Sequence, residues 1–241
     1  MTLLPALPEQ PEPPPMKLAE VIGHLRDSLA GSDWEAVDAL LQFLDCRNVE
    51  AHVHKWSRFD DRAPRSAEAL AERLELPEYM QNFLAAYEAG TLAGEYPAAT
   101  LWRAYFNQLT ETADRVGSQF LKEWVTWEVS LRNELARERA DHLSWSIEPH
   151  LLDPLHGEPS HTELVVRLRE AANPLDAQRK LDAAKLAAIH LMSGTDPFSL
   201  DAVLAYTASV LVLDGWDLPE APAPGALLEK MRGNEPQTES R

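Results

Sequence analysis

Apolar residues recur every three or four positions through most of this chain, the spacing of helices that each bury one face. The clearest case is residues 120–140, FLKEWVTWEVSLRNELARERA, where Phe120, Trp124, Trp127, Leu131 and Leu135 make one stripe wide enough to anchor a helical core. Glu128 stands four residues before Arg132 and Asn133 four before Arg137. Such pairs stabilise a helix by only about 0.2–0.5 kcal/mol each. The tryptophans therefore carry the energy of the segment, and Arg132, Asn133, Arg137 and Arg139 along its flank need another explanation. Structurally, Arg132 and Arg139 would pair with Glu128 and Glu134 to Glu138, and Asn133 would satisfy a neighbouring helix end. Functionally, the four would line a groove used by another protein.

The same period extends in both directions. Residues 17–29 place Leu18, Val21, Ile22, Leu25 and Leu29 on one face, and Ser32 with Glu35 forms a capping box before Trp34, Val37, Leu40, Leu41 and Leu44. Residues 49–59 read as a helix fraying into a loop, because His52 and His54 alternate with Ala51, Val53 and Lys55. Further helices are predicted over 66–74, 77–89, 98–110 and 111–144, the last two being one long helix or a hairpin broken at Gly117. Beyond the proline-punctuated stretch WSIEPHLLDPLHGEPS, helices are predicted over 161–172, 174–191 and 199–213. In the last, Ser199 supplies the cap, Phe198 and Val203 a hydrophobic staple, and the apolar stripe covers more than one face, which predicts the most buried helix.

Pro5, Pro8, Pro11, Pro13, Pro14 and Pro15 exclude a helix at the N-terminus and predict an extended arm. After Trp216 the prolines and charges predict one short helix near Leu227 and then disorder. No alternating apolar run is long enough for a central sheet. The expected fold is all-α and multi-helical, an irregular bundle with an arm at 1–15, a helical lobe at 16–144, a linker loop at 145–160, a second lobe at 161–218 and a flexible tail at 219–241.

Composition narrows the function. The chain has 22 basic and 39 acidic residues, a formal charge of -17, which repels nucleic acid and anionic lipid and favours a partner with a basic surface. A single cysteine, Cys46, rules out an internal disulfide and suits a reducing compartment. Residues 202–213, the most apolar stretch, fall short of the roughly 20 residues a bilayer span needs. Phosphate-binding glycine loops and nucleophile elbows are missing from the sequence. No cofactor, small-molecule substrate or catalytic residue is expected, and Cys46 reads as a buried or half-buried thiol.

Histidine leaves a competing reading, a metal-dependent hydrolase. His142, His150, His156 and His161 surround the proline loop with Glu148, Asp153 and Glu158, while His52 and His54 form a separate pair downstream of Cys46. Only His52 and His54 have the tight local spacing that zinc ligands usually show. Surface and helix-cap histidines explain both groups more simply, as solvated charge explains Asp60, Asp61 and Glu12, so no metal ligand is assigned.

Five pieces in order carry a resemblance: the Leu-Pro segment LPALPEQPEPPP, Leu44-Asp45-Cys46-Arg47-Asn48 closing a helix, WEVSLRNELARERA, Asn173-Pro174-Leu175 opening another, and FSLDAVLAYTASVLVLDGW. Across most of residues 3–216 the chain resembles a small bacterial family encoded beside V/A-type ATPase subunits. That family is itself similar to a shortened form of the C-type stalk component of these ATPases, the d-type component in eukaryotes. Arg47-Asn48 and Arg132-Asn133, each after an apolar run, are similar to the repeated Asn-containing helices of the C-type component. The resemblance implies a non-catalytic, cup-like helical protein that meets central-stalk or ring subunits of the ATPase, as a permanent component or as an assembly factor. It also implies a cytoplasmic location, at the inner membrane when held there by the complex.

Overall fold

The computed structural model describes residues 4–216 apart from 57–58, 66, 93–95, 154, 156 and 158, and the side chain of 68. The predicted helix near Leu227 and the flexible tail lie outside the described residues, as do His156 and Glu158. Among the described residues the fold is all-α: α1 (Leu18–Ser28), α2 (Gly31–Val53), α3 (Ala67–Ala71), α4 (Glu78–Glu88), α5 (Pro97–Val116), α6 (Gln119–Leu143), α7 (Thr162–Arg169), α8 (Pro174–Met192) and α9 (Leu200–Leu213). Short 3-10 turns occupy Glu148–His150 and Asp214–Trp216.

The local chemistry explains most boundaries. Residues 110–120 are a hairpin, because Gly117 takes φ +69° and Ser118 restarts the chain as the cap of α6, its Oγ accepting from the Leu121 amide at 3.1 Å. Asn173 and Ser199 cap α8 and α9 in the same way, accepting from the amides of Asp176 at 2.9 Å and Ala202 at 3.2 Å. The predicted capping box at Ser32 does not form: α2 starts at Gly31 with Ala30 as its cap, which places Ser32 inside the first turn. Nor does Phe198 staple α9. A turn in which its amide donates to Asp196 leaves its ring 71% exposed.

α2 packs on α5, α5 on α6, and α9 touches α1, α2, α6 and α8. No residue of α9 is exposed, as its two-sided apolar pattern predicts. Phe120, Trp124, Trp127 and Leu131 are all buried, and the rings of Phe120, Trp124 and Trp127 stack in near-parallel steps of 6.3 and 5.5 Å. Residues 4–16 hold no helix; Leu4 and Leu7 pack against the core, and the Tyr206 hydroxyl donates to the Pro5 carbonyl at 3.1 Å. The start of α1 also meets the turn after α9, since the Leu18 amide donates to Asp214 at 3.3 Å.

The two Arg-Asn pairs perform one structural task twice. Asn48 donates to the carbonyl of Asp60 at 2.9 Å and accepts from its amide at 2.7 Å. Asn133 does the same to Leu152, at 3.2 and 2.8 Å. Each asparagine clamps the main chain of the loop that follows its own helix, replacing the backbone partners which that loop lacks. Asn133 is 1% exposed, so its amide is committed to the fold.

Asn133→Ala orphans two main-chain groups in a buried setting and should cost about 2–3 kcal/mol in urea unfolding. Asn48→Ala should cost less, because Asp60 is half-buried and water can replace part of the lost pair.

Candidate functional site

α2, α5, α6, α8 and the turn after α9 together line a charged cleft of about 610 Å³. Its deepest charge is Glu128 on α6, 2% exposed. Lys185 on α8 donates to Glu128 Oε1 at 2.6 Å, and Arg132 Nε lies 3.5 Å from Oε2. Burial pushes the Glu128 carboxyl up, but the two cations outweigh it and hold the group below its ordinary value. The Arg132 guanidinium in turn lies over Trp102, 4.0 Å from the ring centroid, with Phe43 and Phe106 at 5.4 and 5.5 Å. Stacking of this kind suits the flat, weakly hydrated guanidinium and would not suit a lysine equally well.

The other carboxylates of the cleft have partners of their own. Trp102 Nε1 donates to Glu50 at 3.0 Å. Asp182 receives Trp216 Nε1 at 3.0 Å and Gln178 Nε2 at 2.9 Å; burial raises its pKa despite these bonds and nearby Lys185. Arg47 and Arg62 line the side nearer the α2 loop, both paired with Asp60, at 3.4 and 2.7 Å. Thus the arginine of each Arg-Asn pair faces the cleft while its asparagine holds a loop.

A second feature lies on the surface. Trp56 stacks on His54 at 4.9 Å, His54 approaches Tyr96 at 6.1 Å, Tyr96 contacts His150 at 4.4 Å, and His150 stacks on Trp145 at 6.0 Å. Trp56 is 59% exposed and Trp145 56%. The strip joins the loop after α2 to the loop after α6, so the two histidine groups that the sequence kept apart become neighbours. Among the described residues no three His, Cys, Asp or Glu converge as metal ligands. His161 is buried with its Nε2 2.8 Å from Ser130 Oγ and its ring edge-on to Trp127, which is a core role. His52 and His142 are exposed.

The four flank residues thus part company: Arg132 enters the cleft, Asn133 is an internal clamp, and Arg137 and Arg139 are exposed and lie outside both features. Cys46 is buried with Sγ 3.5 Å from the Tyr79 hydroxyl, and burial raises its thiol pKa, away from nucleophilic use. Sequence reasoning missed Lys185, Asp182, Trp102 and Trp216. Each looks like an ordinary helix or tail residue until packing brings it to the cleft. No helix among the described residues is long and apolar enough to cross a membrane.

These features define an all-helical protein with a charged interior cleft and an exposed aromatic strip. The chain belongs to the family described as protein of unknown function (DUF2764), which matches residues 2–173. No curated protein and no solved structure matches the sequence.

Glu128→Gln leaves Lys185 and Arg132 without their shared counter-ion and should cost about 3 kcal/mol at neutral pH. The folded carboxyl titrates below its ordinary 4.5, so its contribution is full above that value and is lost as pH falls through the folded pKa. The stability gap between wild type and E128Q, measured by urea titration, should therefore narrow below pH 4.5 and not before.

Proposed function

We infer that this chain is a non-catalytic interaction protein, an accessory or central-stalk component of a bacterial V/A-type ATPase. The observation that carries the interaction reading is the aromatic strip of Trp56, His54, Tyr96, His150 and Trp145. Two half-exposed tryptophans and a tyrosine cost stability in water without contributing to the core, and these residue types concentrate binding energy in protein interfaces. The charge of -17 favours a partner with basic groups. The choice of the ATPase rests on the ordered resemblance of five sequence pieces to the family encoded beside its subunits. In this reading the helical body holds the two loops rigid through Asn48 and Asn133, and the loops present the strip.

Co-purification with tagged central-stalk and ring subunits tests the assignment. The wild-type chain should be retained, and Trp56→Ala with Trp145→Ala should weaken retention by about tenfold or more while leaving the melting temperature nearly unchanged. Failure of the wild type to associate, with ATPase activity intact after deletion of the chain, would reject the reading.

A further inference from the structure

We propose that the cleft between α2, α5, α6 and α8 is a receptor for a carboxylate carried on a flat apolar group, with Arg132 as its anchor. Most charges in the cleft are already spoken for. Glu128 accepts from Lys185, Glu50 accepts from Trp102, and Asp182 accepts from Trp216 and Gln178. Arg132 is held differently. Its guanidinium carbon lies 4.0 Å from the Trp102 ring centroid, and among the described residues its one carboxylate contact is the ion pair of Nε with Glu128 at 3.5 Å, which leaves Nε without a hydrogen bond. The far end of its guanidinium has no acceptor among the described residues. Arg62 adds a buried Nη1 without a hydrogen bond, 3.7 Å from Asp214, in the same cleft. Both atoms stand beside a carboxylate without a full hydrogen bond to it, and two arginines held that loosely at one opening suit an added anion at their remaining N–H groups.

The surroundings select the kind of anion. Glu50, Glu128 and Asp182 line the same space, so a multiply charged phosphate meets more repulsion there than a singly charged carboxylate does. Phe43, only partly buried, gives the wall a flat ring, and Leu175 and Val212 add apolar surface against which the rest of the ligand can lie. The carboxylate could belong to a free organic acid or to the C-terminus of a peptide chain, and the same groups would recognise either. This site is separate in its residues from the aromatic strip and does not depend on the ATPase reading.

The test uses the full chain and follows the indole N–H signals of Trp102 and Trp216 by NMR during titration with benzoate, benzamide and inorganic phosphate, and with a short peptide ending in phenylalanine, free or amidated. Saturable movement of those signals by benzoate identifies a free acid as sufficient. Movement by the free-ended peptide alone identifies a chain terminus. Arg132→Lys, which keeps the charge but loses the flat fork, should weaken binding by about tenfold, the loss of one charge-assisted hydrogen bond. If that variant fails to fold, the acid-against-amide comparison in the wild-type protein still decides. The proposal is overturned if no acid moves the two indoles saturably, if the amides act as well as the acids, if phosphate is preferred, or if a folded R132K binds acids unchanged.

Discussion

A carboxylate shut away from water must be neutralised, and Glu128 organises the middle of this protein around that requirement. An unpaired buried charge costs several kcal/mol, so folding has to bring cations to Glu128. Lys185 crosses from α8, and Arg132 reaches back one turn along α6. The lysine fixes α8 against α6. The arginine, held near Glu128, is also placed over the ring of Trp102 of α5, which in turn donates to Glu50 of α2. One buried charge thus links four helices through polar and cation–π contacts whose geometry is more directional than apolar packing alone. It also leaves an opening, because long side chains meeting head to head fill space less completely than interlocking aliphatic groups.

The two Arg-Asn pairs show how a short sequence echo can encode an architectural rule. In each, the asparagine faces the following loop and the adjacent arginine faces the cleft, since neighbouring residues on a helix point about 100° apart. Asparagine suits the first role because its amide offers both a donor and an acceptor, so a single side chain can satisfy both main-chain groups of one loop residue. Aspartate would lack the donor, and leucine would lack both. Loops held at their base by such a clamp can carry large exposed rings without collapsing onto the core. Trp56 and Trp145 stand in those two loops, one after each clamped helix.

The helices were legible in the sequence because a 3.6-residue apolar period is a local signal, and the caps at Ser199 and Asn173 and the break at Gly117 are local too. Where reading failed, a local rule met a competitor. Ser32 and Glu35 have capping-box spacing, but Ala30 and Gly31 let α2 begin ahead of them. Phe198 has staple spacing, but Asp196 captures its amide in a turn that swings the ring outward. The cleft was not legible. Lys185, Asp182 and Trp216 carry no motif, and they become partners of Glu128 and of one another only when α8 and the turn after α9 fold back on α6. Arg132 and Asn133 were visible as unusual neighbours, yet sequence could not reveal that one enters the cleft and the other ties down Leu152.

Charge and contact play different parts in any binding by this chain. A charge of -17 acts over long range, but at physiological ionic strength exposed charges are screened within about 8 Å, so it sorts partners by sign and speeds their approach rather than fixing one pose. A pose needs groups that lose water on contact and have a direction. Flat rings meet that need, because their faces accept cations and aliphatic groups from one side only. The strip from Trp56 to Trp145 is built from such rings, and its two tryptophans stand in the loops that Asn48 and Asn133 tie down at Asp60 and Leu152. Rigidity below and desolvable surface above reduce the ordering cost of association, which is often what separates a specific contact from a merely favourable one.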